Sequence, residues 1–166
     1  MDLFEKLSRA PALLARVAAQ VPDALARVRS GPFALVEHLW HIADLEREGF
    51  GERVRRLLAE EDPFLPDFDG ERIARERQYL TLPVAGALDA FAVARQETLR
   101  LLRSVSDEQW NRSGRQEGVG TVSLAAAFVR MLAIKFLKLA PSWYGWPTSA
   151  NHWSTSTGCL SKERFR

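Results

Sequence analysis

Apolar residues recur at helical spacing in separate segments of this chain, and no segment sustains the alternation of a β-strand. The segments span roughly residues 2–29, 33–60, 83–105 and 123–140. In the first segment, Pro11 and Pro22 predict a bend or a break. Residues 61–82 contain prolines and a glycine and should form a long connection, and a loop is expected over residues 114–120. The pattern predicts an all-α protein.

The long connection lies between the second and third helical segments, so those two helices can run parallel. This order predicts a four-helix bundle with up-down-down-up topology. Residues 1–140 would form the bundle, whereas residues 141–166 are rich in Trp, Ser and Thr without a helical period. We expect an irregular tail there, with fast amide exchange.

The charge pattern argues against a nucleic-acid partner. The chain has 166 residues, 46% of them hydrophobic and 27% charged, which is typical of one globular domain. Its formal net charge of +2 is accounted for by Lys162, Glu163, Arg164 and Arg166 near the end of the chain. The body is therefore neutral and offers no basic surface to a phosphate backbone.

Other features predict a protein of the cytoplasm. The single cysteine, Cys159, excludes an internal disulfide and suits a reducing compartment. Asp2 and Glu5 stand where a signal peptide would be basic. The most apolar stretch carries Arg130 and two lysines, which makes a lipid-exposed span too costly. We therefore expect neither a membrane span nor a membrane partner.

The second helical segment combines a histidine with carboxylates. At about 100° per residue, one face of this helix carries Glu37, His41, Asp44, Glu48 and Glu52. The opposite face carries the apolar residues Val36, Leu39, Ala43, Phe50, Val54 and Leu57. A neutral imidazole flanked by carboxylates can begin a divalent-metal site, in which a carboxylate also orients the ring. The same spacing is typical of a solvated face, and both interpretations stay open.

Several motifs that occur in order extend this observation. They are residues 36–48, 65–69 and 74–79, Phe91 with Arg95, and residues 116–120. Over about residues 20–133 the chain resembles the DinB/YfiT-like family. The resemblance implies a four-helix bundle with a divalent metal, often zinc or nickel, held by three histidines, and an activity such as hydrolysis or thiol S-transfer. His41 with Asp44 matches the histidine-x-x-aspartate pattern of its first ligand.

The second ligand pattern of the family is missing. The resemblance places two further histidines at positions occupied here by Ile134 and Lys138, with an aspartate where Lys135 stands. Neither isoleucine nor a protonated lysine can replace an imidazole ligand. His152, in the tail, could fold back as another donor or could be an ordinary tail residue. Divergence, or a change of reading frame near codon 133, would produce this pattern.

Two other groups have open roles. Arg95 lies on the apolar stripe of the third helix, where it could hold an anionic substrate or form an ion pair with Glu37, Asp44 or Glu48. His38 lies beside the acidic stripe and is expected at its boundary. A surface for a partner chain could be formed by Trp143, Trp146 and Trp153.

Three hypotheses follow from the sequence. The first is a metal-dependent DinB-like hydrolase or thiol S-transferase, in which His41 binds the metal and a small thiol is one candidate substrate. The second is a noncatalytic bundle that binds a small molecule or a partner chain, with a homodimer as one form. The third is a frameshifted, inactive product. One feature separates these hypotheses, namely whether a third nitrogen or carboxylate ligand for a metal can reach His41.

Overall fold

The computed structural model describes residues 2–29, 31 and 33–139, with side chains within residues 2–131. Its helices are α1 (Leu3–Ala18), α2 (Asp23–Ala26), α3 (Leu35–Asp44), α4 (Glu52–Ala59), α5 (Gly70–Glu76), α6 (Val84–Arg103) and α7 (Leu124–Leu139). A π-helical segment, Leu45–Gly51, joins α3 to α4 without a break. Short 3-10 turns cover Tyr79–Thr81 and Gln109–Asn111. We call α1 helix one, the run from α3 to α4 helix two, α6 helix three and α7 helix four.

Helices two and three run parallel, as the sequence predicts. At their N-terminal ends, the Trp40 indole N–H donates to the Pro83 carbonyl oxygen at 3.2 Å. Toward their C-terminal ends, Arg55 lies 4.0 Å from the Glu97 carboxylate. Residues near the start of helix two thus contact the start of helix three, and residues near its end contact the later turns of helix three, so the two helices point in the same direction. The connection over residues 61–82 returns the chain to the starting end, and we call it the crossover.

Helix one runs antiparallel to helix three. Its first turn carries Phe4, whose ring lies 5.6 Å from the guanidinium of Arg103 in the last turn of helix three. Its last residue, Ala18, packs in a cluster with Ala87 near the start of helix three. The Phe4 ring also contacts the Phe128 ring at 4.8 Å, so helices one and four start at the same end. The predicted up-down-down-up bundle is confirmed.

Helix boundaries follow the local sequence closely. Asp2 caps α1 by accepting the Glu5 amide at 2.7 Å, and the helix continues through Pro11. The predicted break falls before Pro22, after which α2 begins. Within the described residues, no helix is long and apolar enough to cross a bilayer. The predicted tail, with His152, Cys159 and the three tryptophans, lies outside the described residues.

A small sheet is the main departure from the sequence-based prediction. Strand β1 (Phe64–Leu65) pairs in parallel with β2 (Ser113–Gln116), which pairs antiparallel with β3 (Gly120–Ser123). The sequence predicts a loop over residues 114–120 instead. Strands of two and four residues are too short to show a sustained alternation, so periodicity could not reveal them. The sheet ties the crossover to the segment that leads into helix four.

The apolar face of helix two forms the core as predicted. Val36, Leu39, Ala43, Phe50, Val54 and Leu57 are all buried. A charged residue, Glu46, is buried among them and is only 1% exposed. It lies on this face because it follows Ala43 by three residues and precedes Phe50 by four.

Glu46 forms a buried ion pair with Arg95 of helix three. The Arg95 Nε and Nη2 groups donate to the two carboxylate oxygens of Glu46, both at 2.6 Å. The two side chains are 1% and 0% exposed, and the guanidinium also lies 5.4 Å from the Phe91 ring. Burial raises the pKa of Glu46 and lowers the pKa of Arg95, while their mutual attraction opposes both changes.

The position of Arg95 corrects one part of the sequence analysis. Arg95 points inward and has a carboxylate partner, but this partner is Glu46 rather than Glu37, Asp44 or Glu48. Those three residues lie on the other face of helix two, which packs away from helix three. The partner could have been identified from sequence, because Glu46 is the carboxylate on the apolar stripe.

Replacing Arg95 with alanine should lower the free energy of unfolding by about 3–5 kcal/mol, since Glu46 would keep a buried, unpaired charge. The double variant Glu46→Leu/Arg95→Leu should recover most of this loss, because both charges are removed together. Arg55→Ala, on an exposed face, is the control and should change stability by about 0.5 kcal/mol or less. Urea denaturation measures all three, and an Arg95→Ala loss as small as the control's would contradict the role given to the pair.

Candidate functional site

A pocket of about 550 Å³ opens between the start of helix two and the crossover. Its walls come from the segment before helix two, from helix two, from the crossover and from the turn between β2 and β3. The lining residues are Phe33, His41, Asp67, Phe68, Asp69, Gly70, Glu71 and Glu117. The histidine that matches the family's first ligand is therefore one wall of a pocket.

His41 is buried, with 6% of its surface exposed, and it lies between aromatic rings. Its ring centroid is 5.9 Å from that of Phe33 and 5.7 Å from that of Phe68. The backbone of Gly70 packs directly against the imidazole. A Cβ at residue 70 would lie 2.5 Å from Nδ1 and would also collide with Cε1. Only glycine permits this close approach.

Local interactions bring the crossover to His41. Asp69 caps α5 by accepting the Arg72 amide at 3.0 Å, so the helix begins at Gly70. Upstream, the Asp67 amide donates to the Glu117 carboxylate at 3.0 Å. The first contact starts the helix and the second attaches the preceding residues to the β2–β3 turn.

Asp44, the family-like partner of His41, is engaged elsewhere. The Tyr79 hydroxyl donates to Oδ2 at 2.5 Å, and Arg77 contacts the same oxygen at 2.5 Å. Arg47 donates to Oδ1 at 2.8 Å. Burial and the bond to Asp44 raise the pKa of the Tyr79 phenol, which therefore stays protonated as a donor. A divalent cation on Asp44 would lie beside two guanidinium groups, which would repel it.

Two other carboxylates of the stripe, Glu37 and Glu48, also form ion pairs with arginines. Glu37 receives two hydrogen bonds from Arg29, at 2.8 and 2.5 Å, and one from the Ala34 amide at 2.8 Å. The hydrogen bond from Arg29 lowers the pKa of Glu37. Burial alone would raise the pKa of Glu48, but hydrogen bonds from Arg77 and Arg47 bring it below its ordinary value.

The solvated-face interpretation of this stripe is wrong for its first half. Glu37, His41 and Asp44 are buried, and only Glu48 and Glu52 are exposed. The crossover packs over this face through Gly70 and Arg77. Helical periodicity reports the spacing of residues along one helix, and it contains no information about a distant segment that covers them.

The donor set around His41 does not fit a three-ligand metal centre. Within the residues that the structure describes, no group of three or more His, Cys, Asp or Glu side chains could hold a metal ion. Ile134 and Lys138 lie in helix four, and their side chains fall outside the described set. Neither residue type supplies the lone pair that zinc or nickel requires at pH 7.

Among the described residues, the one other histidine, His38, adds no donor to this set. His38 lies at the boundary of the stripe, half-buried, with its ring edge-on to Phe33 at 5.4 Å and 87°. His152 lies outside the described residues. The pocket also contains Phe33, Gly70 and Glu71, which the sequence did not indicate. Phe68 and Glu117 belong to the motifs at residues 65–69 and 116–120, but the sequence assigned them no place in a site.

Comparison with known proteins places the chain in a family. Residues 6–133 match the DinB superfamily, and the chain belongs to it. Among solved structures it is similar to YfiT from Bacillus subtilis, with a TM-score of 0.67, 18% sequence identity and 87% of each chain covered. That protein is described as a "probable metal-dependent hydrolase with an unusual four-helix bundle topology". At this identity the similarity shows a common fold. No curated protein matches the chain.

Gly70→Ala should destabilise the protein by about 1–3 kcal/mol, because the added methyl group overlaps the His41 ring. Adding His41→Ala should relieve the overlap, so the two substitutions together should cost less than the sum of their separate costs. Gly31→Ala is a matched control, since nothing lies within 4 Å of a Cβ there. Thermal and urea unfolding measure this coupling, and strictly additive effects would show that Gly70 and His41 do not touch.

Glu37→Gln should cost about 1 kcal/mol at pH 7, because the carboxylate that receives the Arg29 and Ala34 donors loses its charge. The folded pKa of Glu37 is lowered, so its contribution is complete above the ordinary glutamate pKa of about 4.3 and is lost as the pH falls through the folded value. Urea denaturation from pH 7 to pH 2.5 should show the wild-type and variant curves converging at low pH. A constant difference would contradict the assignment.

Proposed function

We propose that this chain is a small-molecule-binding member of the DinB superfamily that works without the family's three-histidine metal centre. The observation that carries the proposal is the engagement of Asp44, Glu37 and Glu48 by arginines. These carboxylates stabilise the fold and hold the crossover in place. His41 keeps its position in a pocket wall, and no metal-binding group of three His, Cys, Asp or Glu side chains exists within residues 2–131.

The volume and the mixed lining of the pocket support a site for a small molecule. Such sites are typically concave, occupy about 300–1,000 Å³ and combine apolar walls with a few polar groups. Here Phe33, Phe68 and the buried His41 ring provide the apolar surface, and carboxylates provide the polar groups. The ion pairs of Arg77 with Asp44 and Glu48 fix the crossover wall, so much of this shape is present before a ligand binds.

A metal-dependent hydrolase or thiol S-transferase is the second candidate. Membership of the superfamily and the description of YfiT favour it, and zinc or nickel would be the metal. His41 is the one position that matches the ligand pattern, whereas Ile134 and Lys138 occupy the other two positions. A frameshifted product would share these substitutions. Reading the genomic DNA in all three frames after codon 133 would identify such a product. The single cysteine suits a reducing compartment and supports a cytoplasmic location.

Restoring the family's histidines tests the proposal. The unmodified chain should bind zinc and nickel weakly or not at all in calorimetric titrations. Ile134→His/Lys138→His should raise the affinity steeply, because two imidazoles would complete a three-ligand set with His41. Adding His41→Ala should abolish that gain.

A matched control adds the same number of histidines at other positions of helix four, as Val129→His/Lys135→His. This control should not produce a His41-dependent site. If the unmodified chain binds one equivalent of zinc tightly, and His41→Ala removes that binding, the proposal is wrong and the metal-dependent enzyme becomes the preferred function.

A further inference from the structure

We propose that the pocket beside His41 binds a small organic cation, an ammonium group that carries an apolar substituent. This inference rests on the proposed function and adds the chemical class of the ligand. It depends on three properties of the pocket, which are its aromatic walls, its weakly compensated negative charge and its volume.

The walls are aromatic on more than one side. Phe33 and Phe68 both line the pocket, and each ring centroid lies within 6 Å of the His41 centroid, at 5.9 and 5.7 Å. Phenyl faces attract cations through their quadrupole and also bury apolar groups. His41 closes the pocket beside them, since it is buried and Gly70 covers its Nδ1 edge. A ligand that enters this pocket therefore meets ring surfaces.

The polar lining of the pocket has one sign of charge. Four carboxylates line it, from Asp67, Asp69, Glu71 and Glu117, and no lysine or arginine is among its described lining residues. Clefts lined by one sign of charge with low-dielectric walls concentrate ligands of the opposite sign. This charge disfavours an anionic ligand and favours a cation over its neutral analogue.

These carboxylates are only weakly compensated by neighbouring arginines. Asp67 lies 3.5 Å from Arg53, and Asp69 lies 3.6 Å from Arg72. The structural carboxylates behind the pocket form shorter pairs, such as Asp44 with Arg77 at 2.5 Å. The acids behind the pocket are thus closely paired with arginines, whereas the pocket acids keep a net negative charge. Asp69 and Glu117 also accept backbone amides of the crossover, which leaves that charge in place.

An organic cation fits this pocket better than a bare metal ion does. A divalent ion needs several lone pairs within about 2.0–2.6 Å, and no such group of side chains exists among the described residues. The phenyl rings offer no lone pairs. A cation with an apolar substituent, in contrast, uses the ring surfaces and the carboxylates together, and its size suits a pocket of about 550 Å³.

Three probes of similar size and different charge test the inference. They are benzyltrimethylammonium as the cation, benzyl alcohol as the neutral analogue and phenylacetate as the anion. Calorimetry gives the affinities, and amide chemical shifts of Gly70, Glu71 and Glu117 report whether the pocket is the site. The cation should bind most tightly, shift these amides and lose affinity as the salt concentration rises.

Two variants separate the charge contribution from the aromatic one. Glu71→Gln/Glu117→Gln removes two pocket charges, whereas the control Glu97→Gln/Glu108→Gln removes two exposed charges that do not line the pocket. The first pair should weaken binding of the cation by about tenfold, and the control should leave it nearly unchanged. Phe68→Leu, which keeps an apolar side chain, should weaken the cation by about three- to thirtyfold and benzyl alcohol much less.

The outcomes distinguish the two proposals. If benzyl alcohol or phenylacetate shifts the pocket amides while the cation does not, the pocket binds small molecules and the cation inference alone is wrong. Equal losses in the pocket and control variants would also overturn the inference, since the attraction would then come from overall charge. If none of the probes binds and zinc binds through His41, the proposed function fails together with the inference.

Discussion

The buried ion pair between Glu46 and Arg95 is the interaction on which the arrangement of the bundle depends. Two charges removed from water are tolerated only when each finds the other in good geometry, and here both carboxylate oxygens receive a guanidinium donor at 2.6 Å. Apolar side chains along the parallel helices could pack in several registers. The charged pair is satisfied in one register only, so it selects the alignment of helix two with helix three.

Ion pairs on the opposite face of helix two hold the crossover in place. Asp44 and Glu48 hold Arg77, and Arg77 follows α5 in the crossover. The crossover is thereby fixed against the histidine, and Gly70 allows the two to touch. The pocket is built mainly from this packing. Loss of metal ligands on helix four would therefore leave these walls intact, since the described lining residues all precede that helix.

The sequence revealed the parts of the fold that depend on local periodicity. The helices, the apolar face of helix two and the long crossover all follow from spacing and from proline positions. The apolar stripe of helix three predicts Arg95 as an inward-facing charge, but the predicted partners on the acidic stripe are wrong, because Glu46 lies on the apolar face of helix two that packs against helix three. The β1–β2 pairing and the pocket could not be predicted, since they join residues about fifty positions apart, as in the Asp67–Glu117 contact.

Parallel helices two and three also constrain how the chain can reach its native state. Glu46 and Arg95 are separated by 49 positions, and their meeting requires the whole crossover to be closed as a loop. A bundle with short hairpin connections can form neighbouring helix pairs early, whereas here the central pair forms only after a long-range search. Misaligned packing of the two helices would bury an unmatched charge, which raises the free energy of such states relative to the native one.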